Sequence, residues 1–302
     1  MRRGLWPLRQ AAVSVLCCLG LLACATLPES GRGHPTLWRA QRGAATVYLL
    51  GSVHLGTPGP PQLGPGFEQA WSRSAELVVE VDGSLYDEDD ARRLTDRYGR
   101  VPTPGTLRDR VSLRTWTELV AHLDARGVPV PAVAPYRPWL VSLLVSVREY
   151  QALGQDPESG LSRELLRRAY ANDKPVVPLE TLESRFALFA GLPDPVQELM
   201  LRDALASSAD FAAHTEAIES AWRDGRDRAL RRLLFPREGD ADFAPFYENV
   251  VFARSRRMAD RVADLSADGE TRLMVVGVVH MLGKRGIPAL LAERGFEVKE
   301  LP

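Results

Sequence analysis

The chain has 302 residues, of which 45% are hydrophobic, and its 38 basic and 39 acidic side chains give a formal net charge of -1 at pH 7. This length is enough for one large domain or two small ones, and the balanced charge predicts no general affinity for nucleic acid. The three cysteines all lie within the first 24 residues, so no disulfide is predicted in the folded domain.

The N-terminal residues have the pattern of a bacterial export signal. Three arginines precede an apolar run over residues 11–22, which is shorter than the roughly 20 apolar residues that a bilayer span needs. The run ends in "LLAC", which resembles a lipobox, so residues 1–23 are predicted to be a signal peptide and Cys24 the lipid-modified first residue. Ala25 rather than an acidic residue follows the cysteine, which favours an anchor in the outer membrane that faces the periplasm.

The predicted folded domain spans residues 37–302. Residues 24–36 before it are small, polar and turn-forming, which is typical of a tether between a lipid anchor and a domain. Four apolar runs of strand length follow, each bounded by glycine, proline or charged residues. They cover residues 46–50, 77–81, 175–179 and 273–276.

Segments with helical periodicity fill the intervals between these runs. They cover approximately residues 66–75, 87–98, 112–126, 138–153, 159–172, 194–206, 210–233, 242–264 and 285–294. The alternation predicts an α/β fold, with α+β as the alternative, in which a central mixed and partly parallel sheet carries helices on its faces. The stretch from 181 to 270 is almost entirely helical and is predicted to form a lobe over the sheet.

A histidine or a carboxylate stands at the end of each predicted strand. In chain order these residues are His54 after Gly51, then Glu80 and Asp82, then Glu180, and finally His280 after Gly277. In open α/β sheets, ligands bind at the carboxyl ends of the strands. A glycine at such a position permits a sharp exit from the strand and lets a ligand or another backbone segment approach closely.

Two imidazoles and one or two carboxylates are a suitable ligand set for a divalent metal such as Zn²⁺ or Mn²⁺. Such a metal would acidify a bound water, and a further carboxylate would act as general base. Readings without a metal stay open at this point. Each histidine is also compatible with a hydrogen-bonded residue that caps a helix, and Glu180 with an acidic residue in the N-cap region of the following helix.

Six segments together resemble the TraB/GumN family, which is related to the TIKI metalloproteases and more distantly to erythromycin esterases and ChaN-like haem-binding proteins. The resemblance implies a metal-dependent hydrolytic centre on His54, Glu80 and His280, reported for the TIKI branch as a protease that uses Mn²⁺ or Co²⁺. The segments occur in the family's order over about residues 38–302, and they are "LLGSVHLG", "LVVEVD", "RPWLVSLLV", "KPVVPLETLES", "RSRRMADRV" and "VVGVVHMLGKRGIPALLAERGFEV".

Arg254 and Ser255 stand where the family commonly has an Arg-Asn pair. The serine puts any role of the amide in doubt. Arg254 is compatible with binding a substrate carboxylate or a developing oxyanion, and equally with a structural salt bridge.

The sequence therefore predicts an exported, lipid-anchored hydrolase that acts on a peptide or a small molecule with Mn²⁺, Co²⁺ or Zn²⁺. In this hypothesis Glu180 or Asp82 orients or deprotonates water, and Arg254 polarises the substrate. Two alternatives remain: a binding protein that holds haem or metal without turnover, and a regulatory protein with a vestigial site.

Overall fold

The computed structural model describes residues 31–53, 63–155, 160–207 and 210–302. Six strands among these residues form one sheet: β1 (Leu37–Arg42), β2 (Ala45–Ser52), β3 (Glu76–Val79), β4 (Val176–Pro178), β5 (Thr271–Gly277) and β6 (Glu297–Leu301). Their order across the sheet is β4-β3-β5-β2-β1-β6. The sheet therefore joins strands from the two ends of the chain.

The four strands predicted from apolar runs form the parallel part of the sheet, because β4 pairs with β3, β3 with β5, and β5 with β2. β1 runs antiparallel to both β2 and β6. The prediction of an α/β fold with a mixed, partly parallel sheet is confirmed. β1 and β6 were not predicted, because their sequences, "LWRAQR" and "EVKEL", interrupt the apolar pattern with charged residues. Charged residues are tolerated at this side of the sheet, where β6 is the edge strand.

Eleven helices of seven or more residues lie in the described part of the chain. They are α1 (Pro65–Arg73), α2 (Glu88–Leu94), α3 (Leu113–Ala125), α4 (Pro138–Ala152), α5 (Leu161–Ala171), α6 (Leu182–Ala190), α7 (Asp194–Ser207), α8 (Phe211–Arg223), α9 (Asp227–Leu234), α10 (Ala253–Leu265) and α11 (Ile287–Glu293). None of the described helices combines the length and the apolar character that a transmembrane span requires.

Two predicted helices are subdivided in the structure. The helix predicted over 210–233 is α8 and α9, separated at Gly225, whose φ of 62° is a left-handed conformation that ends α8. The helix predicted over 242–264 starts with a single turn, Ala244–Phe246, and a π-helical turn, Tyr247–Phe252, before α10. The interval from 182 to 265 is nevertheless largely helical, as predicted.

Both faces of the sheet are covered, because alternate residues of a strand point to opposite faces. Leu273 and Val275 of β5 pack into a large apolar cluster with the helical lobe. Met274 and Val276 pack on the other face with Met258 of α10 and with α11. The π-helical turn contributes to the first cluster and α10 to the second, so the chain crosses from one face to the other where α10 begins.

The described part of the predicted tether, residues 31–36, makes contacts with the domain. The Arg32 N–H donates to the Asp224 carbonyl at 2.7 Å, and the hydroxyl of the buried Thr36 donates to the Asp227 carboxylate at 3.0 Å. The chain is thus attached to the start of α9 before it enters β1.

Candidate functional site

A buried group of charged and polar side chains lies at the carboxyl ends of the parallel strands. Glu80 comes directly after β3, Glu180 two residues after β4, and His280 three residues after β5. The Glu180 N–H donates to the Glu80 carbonyl at 2.8 Å, which extends the β3–β4 pairing and places the two glutamates side by side. Arg254 reaches the group from the first turn of α10.

The Arg254 guanidinium binds all three side chains. Its Nε and Nη2 donate to the two oxygens of Glu180 at 3.0 and 2.7 Å, and Nη2 also donates to Glu80 Oε2 at 2.7 Å. Its Nη1 lies 3.0 Å from His280 Nε2 and donates to the Val250 carbonyl at 3.1 Å. The residue has 0% exposure, so the two carboxylates supply the counter-charge that a buried guanidinium requires.

All five N–H groups of Arg254 therefore point to acceptors within the protein. In this arrangement the guanidinium has no free donor for a substrate carbonyl. What it does is hold two carboxylates and one imidazole in fixed positions relative to one another.

Arg185 of α6 is a second buried arginine of this group, and sequence reasoning missed it. It donates to Glu80 Oε2 through Nη2, and its Nε lies 3.7 Å from Glu180 Oε2. Two arginines and two glutamates thus balance in formal charge. A signal was present in the sequence, because Arg185 interrupts the buried stripe of α6 between Leu182 and Phe189, a position where arginine is rare unless it is paired.

The two strand-end glycines are in contact with this region through their backbones. The Gly277 N–H donates to Glu80 Oε1, so both oxygens of Glu80 have protein donors. A Cβ on Gly51 would lie 2.8 Å from the Cα of Val278, so the close approach of β2 to the turn after β5 requires a glycine there.

His280 is held as a neutral imidazole with its proton on Nδ1. A guanidinium donates and cannot accept, so Nε2, which faces Arg254, carries no proton. The ring proton is then on Nδ1, 2.9 Å from the Ser255 hydroxyl, which in turn donates to the Val251 carbonyl at 2.9 Å. Ser255 thus supplies the acceptor that fixes the tautomer, so the position retains a polar function without the asparagine amide.

Asp82 was predicted beside Glu80 but binds other partners. Its Oδ1 accepts from the Ser84 N–H at 3.0 Å and from the Ser84 hydroxyl at 2.6 Å, while Oδ2 accepts from Tyr170. Burial and the bond to Asp82 raise the pKa of Tyr170, so the phenol stays the donor. Strand alternation does not govern this pair, because β3 ends at Val79.

Glu180 lies directly before the N-cap of α6 and does not itself cap the helix. Thr181 is the N-cap of α6, with its hydroxyl accepting from the Ser184 N–H at 3.0 Å. The Glu180 carboxylate turns away from the helix start and binds Arg254.

His54 and Cys24 lie outside the described residues. The donors that are described do not fit a divalent cation as arranged, since both oxygens of Glu80 and both nitrogens of His280 bind protein groups and the nearest charge is the guanidinium of Arg254. Within the described ranges no three His, Cys, Asp or Glu residues are placed to hold a metal ion. The metal therefore stays a prediction that depends on His54.

A cavity of about 390 Å³ opens beside the buried group. Its polar walls are formed by Glu180, Arg185, Arg254 and Arg257, and its apolar walls include Leu188 and Met258. The volume lies within the range of small-molecule pockets. Glu180 is the carboxylate of the group that reaches this cavity.

A sequence model of the TraB/PrgY/gumN family matches residues 36–300. The chain belongs to this family. Among relatives of this TraB-family chain is the uncharacterised protein YbaP of Escherichia coli K12, 23% identical over 270 residues that cover 88% of this chain and 97% of YbaP. YbaP of Shigella flexneri has the same identity and coverage. No solved structure has a significant match to the chain.

Proposed function

We propose that this TraB-family protein is an exported hydrolase, lipid-anchored at Cys24 on the periplasmic side of the outer membrane, whose reaction takes place at the group centred on Arg254. One observation carries the proposal: a fully buried guanidinium contacts two carboxylates and an imidazole at the carboxyl ends of parallel strands, beside a cavity. Burying so many ionisable groups is costly for stability, and they are the groups that acid–base catalysis uses.

Glu180 is the general base in this proposal. It lines the cavity, and its side chain keeps 12% exposure although it is bound by Arg254. A water in the cavity would give its proton to Glu180 as its oxygen adds to the substrate carbonyl carbon. The bond from that carbon to the leaving group would then break, and Glu180 would return the proton to the leaving group. Arg254 is a positioning residue, because each of its N–H groups already binds a protein acceptor.

The substrate is a peptide or a small molecule with a hydrolysable carbonyl derivative. The size of the cavity and its mixture of apolar and charged walls support this part of the proposal. Both oxygens of Glu80 and both ring nitrogens of His280 are bonded to protein groups. This bonding supports a reaction that the side chains of the protein carry out.

The test is a hydrolysis screen of the purified full-length protein with peptide and ester libraries, before and after chelation. We expect Glu180→Gln to lower kcat about 100-fold. Glu183→Gln changes an exposed glutamate of α6 that pairs with Arg97, and it should keep wild-type activity. Circular dichroism and the Tm of each variant check folding, and His280→Gln is the second variant if Glu180→Gln does not fold.

Activity that persists after chelation would support a reaction carried out by the protein's own groups. Activity that survives in both Glu180→Gln and His280→Gln would contradict the proposal. Activity that is lost on chelation and restored by Mn²⁺, Co²⁺ or Zn²⁺ would instead support a metal centre that includes His54.

A further inference from the structure

Arg257 lies on the exposed side of the cavity. It follows Arg254 by three residues, so both side chains lie on one face of α10, and both line the cavity. The two arginines differ in their surroundings, because Arg254 is fully buried whereas Arg257 is exposed. Among the described residues, Arg257 makes neither a hydrogen bond nor an ion pair.

Arg257 carries the positive charge that no glutamate of this site balances. Arg185 and Arg254 are balanced by Glu80 and Glu180, to which they are directly bonded. Counting these groups, the described walls of the cavity and their partners carry one net positive charge, and it is located at the exposed side. A ligand with one negative charge would complete the balance.

The other walls define the rest of the ligand. Leu188 and Met258 offer apolar contact. The hydroxyls of Thr181 and Ser184 are engaged in the cap of α6, where Ser184 Oγ donates to the Thr181 carbonyl at 2.8 Å. Of the three arginines that line the cavity, Arg257 is the one not bonded to a glutamate, and its planar pair of donors matches a carboxylate.

We propose that Arg257 binds the carboxylate of the ligand and makes the cavity selective for molecules in which a carboxylate stands beside an apolar group, as in a C-terminal residue of a peptide with an aliphatic side chain. The inference adds a substrate preference to the proposed hydrolase, and its relevance to catalysis rests on that proposed function. Binding itself needs no turnover, so it is measurable whether or not hydrolysis occurs.

The test compares two probes that contain no hydrolysable bond. 4-Methylpentanoate carries the carboxylate and an aliphatic group, and 5-methylhexan-2-one is its neutral counterpart of the same shape. Binding of each to full-length protein in detergent is measured by calorimetric titration against a detergent blank. The variants are Arg257→Gln and Arg261→Gln, the second being an exposed arginine one turn further along α10 that does not line the cavity.

We expect the wild type to bind the acid about tenfold more tightly than the ketone. Arg257→Gln should remove this preference and leave ketone binding unchanged, while Arg261→Gln should keep it. Equal affinity of the wild type for both probes, equal losses in the two variants, or no binding of the acid would overturn the proposal. Because no probe is cleaved, each of these results is separate from the outcome of the hydrolysis screen.

Discussion

Arg254 could not be replaced by lysine without loss of the site, because an ammonium has three donors where the structure uses five. Its side chain fixes Glu180 and His280 at once, and the direction of its Nη1 decides which nitrogen of His280 is protonated. Ser255 completes the arrangement from the neighbouring position of α10. At the scale of single residues, Arg254 and Ser255 together determine which ring nitrogen of His280 carries the proton.

Replacing Ser255 by alanine is expected to remove the acceptor of the His280 Nδ1–H. A buried donor without a partner costs about 1–3 kcal/mol, so Ser255→Ala should weaken the preference for a proton on Nδ1, while Arg254 still disfavours one on Nε2. Nitrogen chemical shifts of the imidazole measure the tautomer directly, and kcat on any substrate found should fall about tenfold.

Ser266→Ala is the matched control for this experiment. Ser266 is also buried and also donates to the carbonyl four residues earlier, at 2.7 Å from Val262 O, but it has no histidine neighbour. Ser255→Asn, which restores the residue common in the family, should keep the Nδ1–H tautomer. An unchanged imidazole spectrum in Ser255→Ala would refute the role assigned to the serine.

At the scale of elements, the helical lobe contains a carboxyl group that opposes folding at neutral pH. Asp203 of α7 is 3% exposed, and neither of its oxygens has a hydrogen bond within the described part of the chain. Arg237 is near, with 3.8 Å between its Nη1 and Asp203 Oδ1, but Arg237 binds Asp240 instead. Burial raises the pKa of Asp203 to about 6, although Arg237 lowers it.

Because this pKa is higher in the folded state than the ordinary value of 3.8, folding favours the protonated form. The associated stability is present at low pH and is lost as the pH rises towards 6, by at most about 3 kcal/mol. Asp203→Asn imitates the protonated form and should be more stable than the wild type at pH 7.5 but not at pH 4. Urea unfolding at both pH values measures this difference. Asp242→Asn changes an exposed residue in the loop after α9, and it should show no such pH dependence.

Whether an element could be predicted from the sequence depended on its environment in the fold. The strands β2, β3 and β5 are covered on both faces and so have continuous apolar runs, which made them recognisable. The edge strand β4 is only partly buried but also has an apolar run, whereas the antiparallel strands β1 and β6 carry charged residues and were missed. The same holds for the site, because Glu80, Glu180, Arg254 and His280 stand at recognisable strand ends or motifs. The local signal for Arg185 was its place in the buried stripe of α6, but that pattern does not reveal that its partner is Glu80, 105 residues away in the chain.

At the scale of the whole molecule, the N-terminal pattern predicts the cellular location of the domain. Replacing Cys24 by serine is expected to abolish acylation and release the protein into the soluble periplasmic fraction, because a thiol is the group that receives the lipid. Cys18→Ser, a change within the predicted signal peptide, should leave the anchor intact. Cell fractionation with intact-mass measurement distinguishes the two, and membrane association of the Cys24→Ser protein would contradict the lipoprotein proposal.

The pairing of β2 with β5 joins residues 46–52 to residues 271–277. Contacts between such distant parts of the chain form late in folding, because the whole intervening loop must first be closed. If the chain is exported from its N-terminus as proposed, β2 would stay unpaired with β5, and β1 with β6, until the last segment arrives. The site would share this dependence, since Arg254 and His280 would be among the last residues to emerge. An incompletely exported chain would then have no assembled site, and the proposed activity would begin only after export is complete.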